Sequence, residues 1–358
     1  MRRLFLPLLL MTAGVAVGCG GLPERSRSAD PDDPRVKKLA GWWHLYQSNS
    51  PDWPKARGEW LARDAADRQL LLDNLLKELL LDDGADPRYA GRALRARREI
   101  SWLGSEATDF IVAAFRQFGE KKPADMIALN QLNAALASLQ ATKELDLVLA
   151  DPKLPTPLRL AAVHALADIA DPAAHDALLA CLAGDAKWEL RSASAKTLRR
   201  STGEPRVRVA LARALDDGDG FVRTSAVKTL TPALDPVADT AVLTRIVQIV
   251  GDDPDPAARG ACADALALHT GHAVVAAALV HALGDGDPAV VEHAAHALVN
   301  MNDKNIQLAL VDALERAVRQ KQSELVDSLL VVLRASVGRV PDDINPDGWR
   351  KLIRGTTD

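Results

Sequence analysis

From about residue 142 onward, apolar positions recur at helical spacing, and the whole pattern then recurs at a longer, fixed interval. The segments PLRLAAVHAL, ELRSASAKTL, FVRTSAVKTL, AARGACADAL and AVVEHAAHAL align without gaps. Arg159, Arg191, Arg223, Arg259 and Val291 fall in one column, at spacings of 32, 32, 36 and 32 residues. Leu166, Leu198, Leu230, Leu266 and Leu298 form a second column, and Leu330 continues it. Each unit holds two amphipathic stretches with a turn between them. In one, 205–215 predicts a first helix, DDGDG the turn, and 221–230 a second helix. Gly218 and Gly220 are expected to supply backbone angles that a tight turn needs. The pairs Asp171-Pro172, Asp235-Pro236, Asp255-Pro256 and Asp287-Pro288 predict helix starts. There Asp can accept free first-turn N–H groups, and Pro lacks a donor that would go unpaired. No stretch shows sustained alternation with β-branched enrichment, so almost no sheet is expected.

Within the second helix of each unit one column is always small: Ala162, Ser194, Ala226, Cys262 and Ala294. The column of Ala165, Thr197, Thr229, Ala265 and Ala297 has the same character. Small residues let neighbouring helices approach, and stacked helix pairs share a core that a single pair cannot close. The pattern therefore predicts an all-α solenoid of antiparallel helix pairs over 142–337. Residues 35–141 read as helical but different. A leucine-rich helix is predicted over 58–82, a basic one over 86–104 (Arg88, Arg92, Arg95, Arg97, Arg98), and a divergent helix pair over 105–118 and 123–140. Trp42, Trp43, Trp53, Trp60 and Trp102 crowd this end, as expected of a unit that caps the array. A tryptophan-lined ligand surface is the functional alternative. Asp82, Asp83, Asp86 and Glu99 surround the basic helix and favour an ion-paired face over a phosphate site. Residues 338–358 are expected to close the last unit.

A helix pair of about 32 residues, with an Asp closing its turn and an Arg six residues later, resembles HEAT repeats, particularly the short bacterial type related to bilin-lyase repeats. The matching pairs are Asp185 with Arg191, Asp217 with Arg223, and Asp253 with Arg259. Asp285 keeps the acid while Val291 replaces the Arg, and Lys153 stands in the acid's place before Arg159. The resemblance implies that these pairs form a ladder linking adjacent repeats, complete only in the middle three units. As exposed contacts they would contribute about 0–1 kcal/mol each.

The first residues carry a different signal. Arg2 and Arg3 precede an apolar run from Leu4 to Val17, too short for a spanning helix of roughly 20 residues. The run ends in Ala16-Val17-Gly18-Cys19-Gly20, which resembles the lipobox of bacterial lipoprotein signal peptides, with Ala16 where Leu is usual. The resemblance implies cleavage after residue 18 and lipidation of Cys19. An ordinary cleaved secretory signal is the alternative. Gly20 after the cysteine, where the family's inner-membrane proteins have Asp, points to the outer membrane and its periplasmic face. Residues 19–34 fit a flexible tether.

Composition narrows the function classes. Of 358 residues 48% are hydrophobic and only 4% aromatic; 44 basic against 48 acidic residues leave a net charge of −4. That balance argues against nucleic acid as a partner. Three cysteines allow no disulfide framework, and Cys181 and Cys262 are expected to be buried thiols. No Walker loop, GxSxG elbow, HExxH helix or CxxC pair is present, so no catalytic residue, metal or cofactor is expected. The pairs His269/His272 and His293/His296, with His281 between, are the one metal-like cluster, and read better as polar surface histidines. In the second helices one polar column is expected to face outward: His164, Lys196, Lys228, Asp264 and His296, joined by Arg199 and Arg200. Its mixed, centrally basic charge suits an acidic protein patch. The leading expectation is thus a lipid-anchored periplasmic scaffold that binds a protein. An enzyme or accessory of the cofactor-attaching lyase type, and a purely structural envelope protein, are the alternatives.

Overall fold

The structure, a computed structural model, describes residues 34–81, 91–235, 239–341 and 345–355. Among these residues the regular elements are nineteen α-helices and a few short 3-10 turns, without a strand. The chain divides into two compact units, 1–171 and 172–358. The predicted leader with Cys19, and Asp82, Asp83, Asp86, Arg88 and Pro236, lie outside the described residues.

The first unit holds α1 (Pro34–Gln47), α2 (Trp53–Leu61), α3 (Ala65–Leu79), α4 (Arg92–Leu103), α5 (Ser105–Gly119), α6 (Met126–Ser138), α7 (Thr142–Ala150) and α8 (Thr156–Ala167). Helices α3/α4, α5/α6 and α7/α8 pack as antiparallel pairs, with α4, α6 and α8 forming one layer and α3 against α5 in the other. The paired order therefore reaches back to Ala65, well before the stretch where sequence repetition is visible. Its core is made of Leu71, Leu75, Ile100, Ile111, Phe115, Leu132 and Leu136, all fully buried. The predicted helix over 58–82 is two helices. Asp64 breaks it, its carboxylate accepting the Asp67 N–H at 3.0 Å to cap α3. On either side of the break Trp60 of α2 and Leu71, Leu75 and Leu79 of α3 are buried, and the Trp60 indole donates to the Asp67 carbonyl.

The second unit holds α9 (Pro172–Gly184), α10 (Trp188–Thr197), α11 (Pro205–Arg213), α12 (Gly220–Leu230), α13 (Thr240–Asp252), α14 (Pro256–Leu266), α15 (Ala273–Ala282), α16 (Pro288–Leu298), α17 (Lys304–Arg319), α18 (Ser323–Val337) and α19 (Pro346–Arg354). Five pairs run from α9/α10 to α17/α18. Helices α10, α12, α14, α16 and α18 stack on one another as a continuous layer, and α19 closes the end against α17 through the fully buried Trp349. The small column explains the close stacking: Ser194, Ala226, Cys262 and Ala294 are each completely buried.

Two turn expectations change. Helix α13 begins at Thr240, and just before it the Asp239 carboxylate takes the Asp235 N–H at 2.9 Å and pairs with Arg208; Pro236 itself lies outside the described residues. Gly218 and Gly220 are not needed for backbone angle, since neither has a positive φ. Gly220 is needed for space: a Cβ there would sit 1.7 Å from the Asp255 carboxylate. No described helix is long and apolar enough to cross a membrane.

Candidate binding face

The stacked second helices of the latter unit expose one face to solvent. Lys196, Lys228, Asp264 and His296 occupy the same position on α10, α12, α14 and α16, and all four are exposed. His164 holds that position on α8 in the first unit and is exposed as well. Arg199 and Arg200 follow α10 in a short 3-10 turn and are also exposed. The column divides by partnership. Asp264 takes a hydrogen bond from His293 at 2.8 Å, and His296 meets Ser328 at 3.2 Å while Ser328 donates to Glu292 at 2.9 Å. Lys196 and Lys228 have no ion-pair partner among the described residues, so their charge is left to solvent or to a ligand.

The same helices present a feature that periodicity did not single out. Trp188, the first residue of α10, and Phe221, the second of α12, stack with ring centroids 4.7 Å apart and planes 22° from parallel. They remain 38% and 57% exposed. Their rarity in the array was the available signal.

The opposite duty, holding repeats together, falls to the Asp–Arg ladder. Arg191 grips Asp217 through Nε and Nη2, both at 2.8 Å, and its Nη1 donates to the Asp185 carbonyl at 2.7 Å. Arg223 does the same to Asp253 at 2.7 and 2.5 Å, and to the Asp217 carbonyl at 2.8 Å. Arg259 binds Asp285 at 2.7 and 2.8 Å and the Asp253 carbonyl at 2.6 Å. Each Arg thus bonds the backbone of its own turn and the carboxylate of the next, which corrects the expected carboxylate pairing six residues apart. Asp285 is consequently a full member although Val291 has replaced its own Arg. The rungs are also not exposed contacts: the Arg223 and Asp253 side chains are only 9% and 4% accessible. Burial alone would raise the Asp217 and Asp285 carboxyls. The Arg191 and Arg259 hydrogen bonds, the N–H groups of Asp219 and Asp287, and the guanidinium charges overcome it and hold both below the ordinary carboxylate range. The second Asp of each turn then caps the following helix: Asp219, Asp255 and Asp287 each accept an N–H two residues on at 2.9 Å.

A model of HEAT repeats matches residues 148–231 and 243–334. These stretches are HEAT repeats. The match joins helices from α7 to α18, and the ladder lies inside it. The fold is similar to that of the karyopherin Kap121p bound to the SUMO protease Ulp1p, at 15% identity and a TM-score of 0.54 over 88% of this chain. Kap121p bound to Pho4p gives the same values. In both cases this chain spans only 37% of the karyopherin's length. Human deoxyhypusine hydroxylase in complex with glycerol is 20% identical over 63% of this chain and 94% of its own, with a TM-score of 0.29. No curated protein sequence matches the chain.

Inside the HEAT array the remaining expectations resolve residue by residue. Cys181 and Cys262 are both buried, and burial pushes the Cys262 thiol far up. Among the described residues no group of three or more His, Cys, Asp or Glu is placed to hold a metal. The histidines are not uniformly on the surface, however. His269 is 8% exposed, and burial, with the neighbouring His272, keeps its pKa down. It closes the HEAT helix α14 rather than facing water. Ahead of the matched repeats, Trp42, Trp43, Trp53 and Trp60 form a packed cluster with Tyr46. Trp42 meets Trp60 edge-on at 5.4 Å, Trp43 stacks on Tyr46 at 4.4 Å, and Trp53 and Trp60 are buried. Trp102 is more than half exposed, with the Arg57 guanidinium 3.4 Å over its ring and Glu99 bonded to Arg57. Arg92 pairs with Glu78, and Arg95 donates to the Tyr46 carbonyl at 2.9 Å. Of the arginines on the basic helix, Arg92 is thus engaged in an ion pair and Arg95 in backbone contacts.

Proposed function

We propose that this protein is a lipid-anchored periplasmic scaffold whose HEAT repeats bind a protein partner through the exposed second-helix face. The observation that carries the reading is the pair Lys196 and Lys228, in register on stacked helices, exposed, and without an ion-pair partner among the described residues. Arg191, Arg223 and Arg259 are drawn into ladder rungs, and Arg206, Arg208 and Arg245 into pairs with aspartates; these two lysines are not. A stacked array offers a long, ordered surface without requiring catalytic groups. The karyopherin Kap121p, of similar fold, is bound to proteins such as Ulp1p and Pho4p. The anchor is proposed from Arg2, Arg3, the Leu4–Val17 run and Cys19. Two or three acyl chains, each buried CH₂ contributing about 0.8 kcal/mol, would hold the chain firmly on a bilayer. Removal of residues 1–18 leaves 42 basic against 48 acidic residues, a net charge of −6. Outer-membrane residence follows from Gly20 on the same reading.

The test is crosslinking in intact envelopes followed by capture of the tagged chain, with Lys196→Glu plus Lys228→Glu as the comparison. Both side chains are exposed, so the double variant is expected to keep its melting temperature and lose the captured protein. Undiminished capture would remove the lysine column from the binding face.

A further inference from the structure

Between residues 119 and 348 the chain has just two Phe, Trp or Tyr residues, Trp188 and Phe221. The core over this span is filled by leucine, alanine, valine and isoleucine, with no aromatic ring. Neither ring is needed to fill it, and instead they stack on each other in adjacent repeats with much of their surface in water. Large aromatic side chains left exposed as an ordered pair are the residue type that anchors protein interfaces, since they bring wide apolar area at small entropic cost. Lys228 follows Phe221 by seven residues on α12, and Lys196 follows Trp188 by eight on α10. At 1.5 Å per residue the lysine Cα atoms lie roughly 10–12 Å along the helices from those of the aromatic residues. Thr224, one turn beyond Phe221, has a buried hydroxyl oxygen without a hydrogen-bond partner. In the chain Asp185 precedes Trp188 by three residues, and Asp217 and Asp219 precede Phe221 by four and two; Asp185 and Asp217 serve the ladder and Asp219 caps α12. Asp264 shares the column with the two lysines, which disfavours a uniform polyanion.

We propose that Trp188 and Phe221, with Lys196 and Lys228, form a docking site for a short extended peptide segment of a protein partner. The segment carries an apolar side chain that covers the rings and acidic residues that meet the lysines. At about 3.3 Å per extended residue, the acids fall three or four positions from the apolar anchor. The site rests on the protein-binding reading above and adds to it an aromatic anchor and a spacing.

A random dodecapeptide display library, selected on the full-length chain in detergent micelles, tests it. Peptides pairing an apolar residue with Asp or Glu three or four positions away are expected to be enriched. Their affinity should fall at least tenfold in Trp188→Ala with Phe221→Ala, and at least tenfold in Lys196→Glu with Lys228→Glu. Phe221→Trp should retain binding, and titration of the unmutated chain should shift the Trp188 indole N–H resonance. Loss confined to the lysine variant overturns the aromatic anchor and leaves the scaffold reading standing. Loss confined to the aromatic variant overturns the proposed site and removes the lysine column from the scaffold reading. Loss in neither variant, enrichment of basic peptides, or no enrichment at all overturns both.

Discussion

A guanidinium enclosed between two repeats is stable only while both of its acceptors remain. Arg223 is the most enclosed of the three ladder arginines, and Asp253 is its sole carboxylate contact within 3 Å. Asp253→Ala strands that charge, and is expected to lower unfolding free energy by about 3 kcal/mol. Asp217→Ala should cost less, about 1–2 kcal/mol, because Arg191 keeps 17% of its side chain in contact with water. Urea melts of the two variants check both the losses and their order. The ladder also sets an acid limit. Asp217 and Asp285 titrate below the ordinary carboxylate value of 3.8 when folded, so beneath that value the unfolded chain binds more protons than the folded one. Their stabilisation is complete above it and is lost as pH falls through the folded values. Asp217→Asn with Asp285→Asn should lower stability at neutral pH and flatten the acid limb below about pH 4, read as urea midpoints across the range.

At the scale of a helix, what matters is how closely its neighbour can approach. Ala226 is wholly buried where α12 meets α10 and α14. Ala226→Arg forces a long charged chain into that contact, and should cost several kcal/mol, about 3 or more. Lys228→Ala, two residues along the same helix and exposed, should leave the melting curve almost unmoved. Equal melting of the two would mean the helix phase is wrong. A second close approach lies in the first unit, where a Cβ on Gly119 would stand 2.5 Å from Leu158 Cδ1 and 2.8 Å from its Cβ. Because the obstruction includes the base of the leucine, not just its tip, Gly119→Ala should destabilise by about 1–3 kcal/mol. Gly184→Ala at the end of α9, where a Cβ meets nothing within 4 Å, is the matched control and should be neutral or slightly stabilising.

At the scale of the molecule the question is where the array is held. If Cys19 is acylated, Cys19→Ala should abolish partitioning into the detergent phase and leave a soluble or uncleaved chain. Unchanged detergent-phase behaviour would remove the lipid anchor and, with it, the outer-membrane assignment. The folded HEAT array should melt alike in both forms, since the substitution lies outside both matched stretches, 148–231 and 243–334.

The sequence by itself determined the repeat, the helix pairs and the exposed column. All three follow from periodicity: a residue's face on a helix depends only on its position modulo the turn, and Lys196, Lys228, Asp264 and His296 share that position. Ala162, Ser194, Ala226, Cys262 and Ala294 were legible as contact points for the same reason. Contacts between repeats were not, because the partner of each Arg lies 26 or 30 residues away in the next turn. Only stacking brings Arg191 to Asp217 and encloses Arg223, turning an apparently exposed pair into a buried one. Stacking likewise buries His269, makes Gly220 a matter of space for Asp255, and sets Trp188 against Phe221. Before residue 142 composition obscured the repeat, because aromatic and leucine side chains of unequal size fill the core there. The same helix-pair geometry persists, since it requires only that each pair bury its apolar face against the next.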